Sequence, residues 1–146
     1  MQFRTSLATN NNIMNKISSQ TIYRGAFGLA VAIMFGAFGA HYLKEKLPVE
    51  NLQIFETAVK YQFYGCLGLL ALGIMSHTTE VKLNTPIFLL RLGVLIFCGT
   101  VYFLALRPVF GIDGYKWVGA ITPIGGLCMM ACWIWVGVLF LKASKK

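Results

Sequence analysis

Four apolar stretches, separated only by short charged segments, constrain this chain more than any other feature. They run over about residues 22–43, 61–76, 86–106 and 117–141. Hydrocarbon offers no partner to a backbone N–H or C=O, so a segment that crosses it closes its hydrogen bonds internally as a helix. The expected fold is therefore all-α: a four-transmembrane-helix bundle, with the lipid bilayer as its first partner. An amphipathic helical lead-in brings the chain into the second span.

Hydrophobic residues make up 57% of the 146 positions and charged residues only 12%. Soluble domains carry about 25% charge, so this chain has too little to cover a water-facing surface. The formal net charge is +8, but no basic, aromatic-rich patch lies outside the spans, and a nucleic-acid partner is not expected. The positive residues sit at span ends, where they set topology and meet lipid headgroups. Cys66, Cys98, Cys128 and Cys132 all fall inside spans, so they suggest no secretory disulfide framework. They read as small buried hydrophobes.

Three segments follow: a polar, Asn-rich tail over 1–20 expected to be disordered, a membrane domain over 21–142, and a basic tail over 143–146. Counted by side, eight Lys and Arg residues fall with the termini and the second loop, against five on the other side. This count includes Arg91 and places both termini in the cytoplasm. A bacterial inner (cell) membrane fits this pattern. The acid-free tail also fits a mitochondrial presequence, so an organellar membrane stays open.

Ala37-Phe38-Gly39 has the small residues of a signal-peptidase site, but cleavage is not expected there. Gly25 to Leu43 is 19 residues without Lys, Arg, Asp or Glu, about 28 Å of helix. Within it Gly28, Ala32, Gly36 and Ala40 recur every four residues, a spacing that lets helix backbones approach closely. Gly125 and Gly126 do the same in the fourth span. Pro123, inside that span, predicts a kink that frees the carbonyl of Gly119.

From Glu50 onward Leu52, Phe55, Val59 and Phe63 form one apolar face ahead of the second span. Thr85 and Pro86 read as a cap and first residue of the third helix. Arg91 lies within the third span, either as an intramembrane ion pair, most simply with Glu56, or a substrate anchor, or snorkelling to the headgroups. Because Glu56 and Arg91 fall on opposite sides, snorkelling is favoured. His41 and His77 also fall on opposite sides, which argues against a bis-histidine haem. No cofactor, metal set, Gly-rich phosphate loop or nucleophile triad is read from the chain. The polar residues that invite attention are His41, Glu56, Tyr61, Gln62 and Thr122, with His41 and Glu56 expected to meet near one membrane face.

Four strings resemble a known family: Gly36-Ala37-Phe38-Gly39-Ala40-His41, Phe55-Glu56-Thr57-Ala58-Val59-Lys60-Tyr61-Gln62, Gly99 to Leu106, and Gly119-Ala120-Ile121-Thr122-Pro123-Ile124-Gly125-Gly126. Together they look like the domain-of-unknown-function-423 family of transmembrane-protein-256-like membrane proteins, in order over about residues 24–141. The resemblance implies a four-helix integral membrane protein and no defined activity. One departure is Gly65, which stands where the family pattern commonly has a histidine. Any chemistry built on that histidine is missing here.

The functional expectation is a non-enzymatic structural or accessory membrane component, meeting other membrane proteins or associating with itself. The alternative is a small oligomeric transporter or channel, with a polar path near His41, Glu56 and the Pro123 kink.

Overall fold

The computed structural model describes residues 2–112 and 114–145, with side-chain surroundings from residue 16 onward except at 113 and 116. Four helices carry the chain: α1 Gln2–His41, α2 Val49–Thr78, α3 Asn84–Leu106 and α4 Thr122–Ala143. All four contain a stretch long and apolar enough to cross a membrane.

Local chemistry sets the boundaries. No proline precedes Pro48, so α1 runs unbroken to His41 and turns through a short 3-10 helix, Leu43–Glu45. Leu43 and Leu47 are buried and pin that turn. Pro48, with φ −54°, caps α2, where its missing N–H costs nothing. The amphipathic lead-in and the second span are one continuous helix, as the apolar pattern implied. In α3 the cap position falls to Leu83, so Thr85 and Pro86 lie inside the first turn, each two positions further into the helix than expected.

Pro123 corrects the expectation of a kink. Lys116–Ala120 is a 3-10 helix, and α4 starts at Thr122 with Pro123 in its first turn. A proline there gives up an amide that has no acceptor within the helix, whereas an interior proline costs roughly 3 kcal/mol. The break therefore separates two elements rather than bending one.

The helices alternate in direction, so the ends of α1 and α4 that carry the chain termini share one face with the α2–α3 loop. We call this the termini face and the opposite one the loop face. Neighbours in sequence are neighbours in space: α1 packs on α2, α2 on α3, and α3 on α4. Two buried clusters hold the ends. Leu69, Leu72, Leu83, Ile87, Leu90, Cys132 and Val136 join α2, α3 and α4 toward the termini face. Leu43, Leu47, Phe55 and Ala105, backed by Phe35 and Tyr102, close the loop face.

The α1–α2 seam alternates steps of three and four residues. On α1, Ser18, Thr21, Gly25, Ala32 and Gly39 are buried, and Gly28 and Phe35 are half-buried in the same series. On α2 the series is Phe55, Ala58, Gln62, Gly65, Leu69, Leu72 and Ser76, all buried. This 3.5-residue mean keeps a seam facing its partner along left-handed packing. A strict four-residue stripe advances about 40° per step, so Ala40 has turned about 120° from Gly28. Ala40 is exposed and Gly36 half-buried, while Gly39 is buried against Phe55. Of the four-residue stripe, Gly28 and Ala32 lie in the seam series, and Gly36 and Ala40 drift off that face.

The N-terminal segment also differs from its expectation. α1 begins at Gln2, not near residue 21. The buried Ser18 hydroxyl donates to the Gly73 carbonyl at 2.7 Å, so at least residues 18–20 belong to the packed unit. The part of the 143–146 tail that is described continues α4 to Ala143 and a turn.

Candidate functional site

The most developed polar feature lies on the seam between the two buried clusters. Gln62, central in α2 and 9% exposed, spans three helices. Its Nε2 donates to the Gly28 carbonyl of α1 at 2.9 Å, and its Oε1 accepts from the Tyr102 hydroxyl of α3 at 2.8 Å. The Tyr102 ring meets Phe35 edge-on at 5.1 Å and tilts against Phe55 at 5.0 Å. An amide buried in a membrane helix is costly unless both its ends are satisfied, and here both are. Each such bond contributes on the order of 0.6 kcal/mol in membrane proteins, up to about 1.7.

Toward the termini face α1 and α3 stay apart, and a cleft of about 510 Å³ lies between them. Its floor is Gln62, Cys66 and Leu69 of α2. The α3 wall includes Phe88, Leu95 and Gly99, whose exposure leaves the cleft open to the side. Tyr102 and Phe35 bound one end; Arg24 of α1 and Arg91 of α3 also line it. Arg24 lies 5.6 Å from the centre of the Tyr23 ring. Neither arginine has an ion pair among the described residues.

The five polar residues singled out from sequence do not form one cluster. His41 and Glu56 are both exposed, and no hydrogen bond or ion pair joins them among the described residues. Each projects from the outer surface near the loop face, because the seam of α1 runs through Gly39 and that of α2 through Phe55 and Ala58. Tyr61 stacks obliquely on Phe97 at 4.6 Å, on the side of α2 away from α1. Thr122 shares a 2.8 Å hydroxyl contact with Thr100, tying the start of α4 to α3. Only Gln62 reaches the cleft. A polar path through His41, Glu56 and Pro123 therefore has no continuous lining.

Arg91 and Glu56 lie on opposite halves of the molecule, so the cross-membrane pair is not made. Cys66, Cys98, Cys128 and Cys132 are free thiols. Among the described residues no three His, Cys, Asp or Glu side chains gather as a metal group.

Glycines set how closely the helices approach. A Cβ on Gly125 would lie 2.5 Å from the Phe97 nitrogen and 2.9 Å from its Cα, so α4 touches the backbone of α3 there. Gly93 is its counterpart, with a Cβ 2.8 Å from the Gly125 carbonyl oxygen. Gly28 leaves room for the Cys66 thiol and Gly65 for the Val94 side chain. Gly126 is only in ordinary contact with the Phe97 ring. Gly25, Gly39, Gly73 and Gly93 were not read as packing residues from sequence. The three-and-four alternation from Ser18 to Gly39 is the signal that would have found the first two.

Residues 35–126 match the family model described as "Protein of unknown function (DUF423)". That stretch holds Gln62, Tyr102, Thr122 and both glycines of the α4 crossing, and leaves Arg24 outside. Among similar proteins is a UPF0382 membrane protein of Staphylococcus epidermidis, 41% identical over 83% of this chain and 94% of its own length. One from Staphylococcus saprophyticus is 42% identical over 77% and 89%. The UPF0382 membrane protein YwdK of Bacillus subtilis is 32% identical over 83% and 95%. No solved structure matches the chain. With four candidate spans and membrane-protein relatives, this is a multi-pass membrane protein.

Proposed function

The chain belongs to the DUF423 family of proteins of unknown function, and from that premise we propose that it is a non-enzymatic accessory component of a bacterial inner (cell) membrane, docking against another membrane protein with both termini in the cytoplasm. The observation that carries this reading is a second small-residue series on α1, facing outward. Ala26, Ala30, Ala37 and Ala40, with the larger Ile33 between them, repeat the three-and-four spacing of the inner seam, and all five are exposed. Small side chains permit a close helix approach, and between helices in lipid such packing replaces the hydrophobic effect as a driving force.

The disposition of polar groups supports the same reading. Ser18, Gln62 and Thr100 bind across helix interfaces, and Asn51 donates to the Ala105 carbonyl at 3.2 Å. No buried side-chain nitrogen or oxygen among the described residues lacks a partner. Polar groups spent in this way hold helices together and leave little to present to a substrate. For orientation, the described side chains toward the termini face include Lys16, Arg24, Lys82, Arg91, Lys142 and Lys145 against one acid, Glu80. The loop half has Lys44, Lys46, Lys60 and Arg107 against Glu45, Glu50 and Glu56. That bias favours the termini face as cytoplasmic.

Purification from its own membrane at native abundance tests the docking reading. A second membrane protein in fixed stoichiometry is the expected result. Repeated recovery of this chain alone, or only with copies of itself, overturns it.

A further inference from the structure

Two features of the cleft have no part in holding the helices together. One is the pair Arg24 and Arg91, both lining it and neither ion-paired among the described residues. Arg91 lies seven residues into α3, about 10 Å along the helix, and is exposed on its flank. An arginine at that depth is costly unless an anion or water meets it. The other is the apolar space beside them. It is lined by side chains such as Leu69, Leu92, Leu95 and Cys98 and closed toward the loop face by the Phe35–Tyr102 contact.

We propose that the cleft between α1 and α3 holds one acyl chain of an anionic phospholipid, with Arg24 and Arg91 taking its phosphate and the Gln62–Tyr102 pair capping the far end. This inference is independent of the docking partner proposed above. The charge is complementary, since a guanidinium offers a fork of N–H donors that matches phosphate oxygens. The shape fits as well. Arg91 to Tyr102 is eleven residues, about 16 Å of helix rise, so the arginines and the cap bracket a chain-shaped space. Its volume of about 510 Å³ falls within the range of built ligand sites. The exposed Phe88 and Leu95 flank gives a lipid sideways access from the bilayer. Gly99 leaves that wall open, for a Cβ there would meet nothing within 4 Å.

The test uses the full chain in vesicles with phosphatidylglycerol or phosphatidylcholine carrying a photoreactive group in the acyl chain. Adducts are mapped by mass spectrometry. Phosphatidylglycerol adducts should concentrate at Leu92, Leu95 and Cys98 and exceed phosphatidylcholine adducts by about thirtyfold, as two arginines near an anionic lipid imply. Arg24→Gln with Arg91→Gln should remove that preference. Gly99→Leu should fill the cleft and abolish the adducts, while Gly137→Leu, also in open space, should leave them unchanged. Should the double arginine variant fail to fold, Gly99→Leu decides, since a Cβ at Gly99 meets nothing within 4 Å. Equal labelling by the two lipids, labelling spread onto Leu127 and Ile134 of α4, or undiminished labelling of Gly99→Leu each overturns the proposal.

Discussion

The crossing of α3 and α4 is a backbone-to-backbone contact, and Gly125→Ala measures it. A Cβ added there would sit 2.5 Å from the Phe97 nitrogen and 2.9 Å from both its Cα and Cβ. Comfortable carbon contacts lie at about 3.5–4.0 Å, so α4 must retreat by about 1 Å. A gap of that size forfeits roughly a quarter to a half of the dispersion well for each contact it opens. Overpacking of this kind costs about 1–3 kcal/mol. Alanine also has better helix propensity than glycine by roughly 1 kcal/mol, which masks part of the effect. Gly137→Ala supplies the correction, because a Cβ at Gly137 meets nothing within 4 Å. Reversible unfolding in mixed micelles, followed by tryptophan fluorescence, should place Gly125→Ala about 1–3 kcal/mol below Gly137→Ala. Adding Phe97→Ala should not restore it, because the main obstruction is the Phe97 backbone. A difference under about 0.5 kcal/mol, the usual range of inconsequential substitutions, or rescue by Phe97→Ala, would refute the reasoning.

Two further outcomes follow from the hydrogen bonds. Tyr102→Phe leaves Gln62 Oε1 unpaired in an apolar interior and should destabilise by about 1–3 kcal/mol; in a double-mutant cycle with Gln62→Leu the two losses should fall short of additive by about 0.5–2 kcal/mol, and strict additivity would separate the pair. Ser18→Ala should cost about 1 kcal/mol in the same unfolding measurement, whereas no change would return residue 18 to a tail outside the packed unit.

Much of this architecture is legible in the sequence because it depends on composition over long windows. The four spans and the continuous ramp into α2 follow from hydropathy and apolar periodicity. The candidate site was less legible. His41 and Glu56 stand out in the chain because they are charged or titratable among apolar neighbours, but one residue of rotation decides whether such a group faces a seam or the outside. Gln62 owes its importance to Tyr102, forty residues away on another helix, and no local pattern announces that pairing. Gly93 likewise matters only because Gly125 is opposite it. Ser18 was hidden by the polar composition of its surroundings, although it begins the series that continues through Thr21, Gly25 and Gly28. Pro123 reads as a kink inside the fourth span, but a 3-10 helix precedes it and it falls in the first turn of α4.

The outward series on α1 is the ground for proposing an accessory role, and site-specific photo-crosslinking in living cells addresses it most directly. A photoreactive residue at Ile33, within the exposed small-residue face, should yield one discrete adduct with another membrane protein. The same probe at Ile134, on the exposed flank of α4, should yield none in common. Only lipid adducts at both positions, or adducts solely between copies of this chain, would contradict a docking face for a partner on α1.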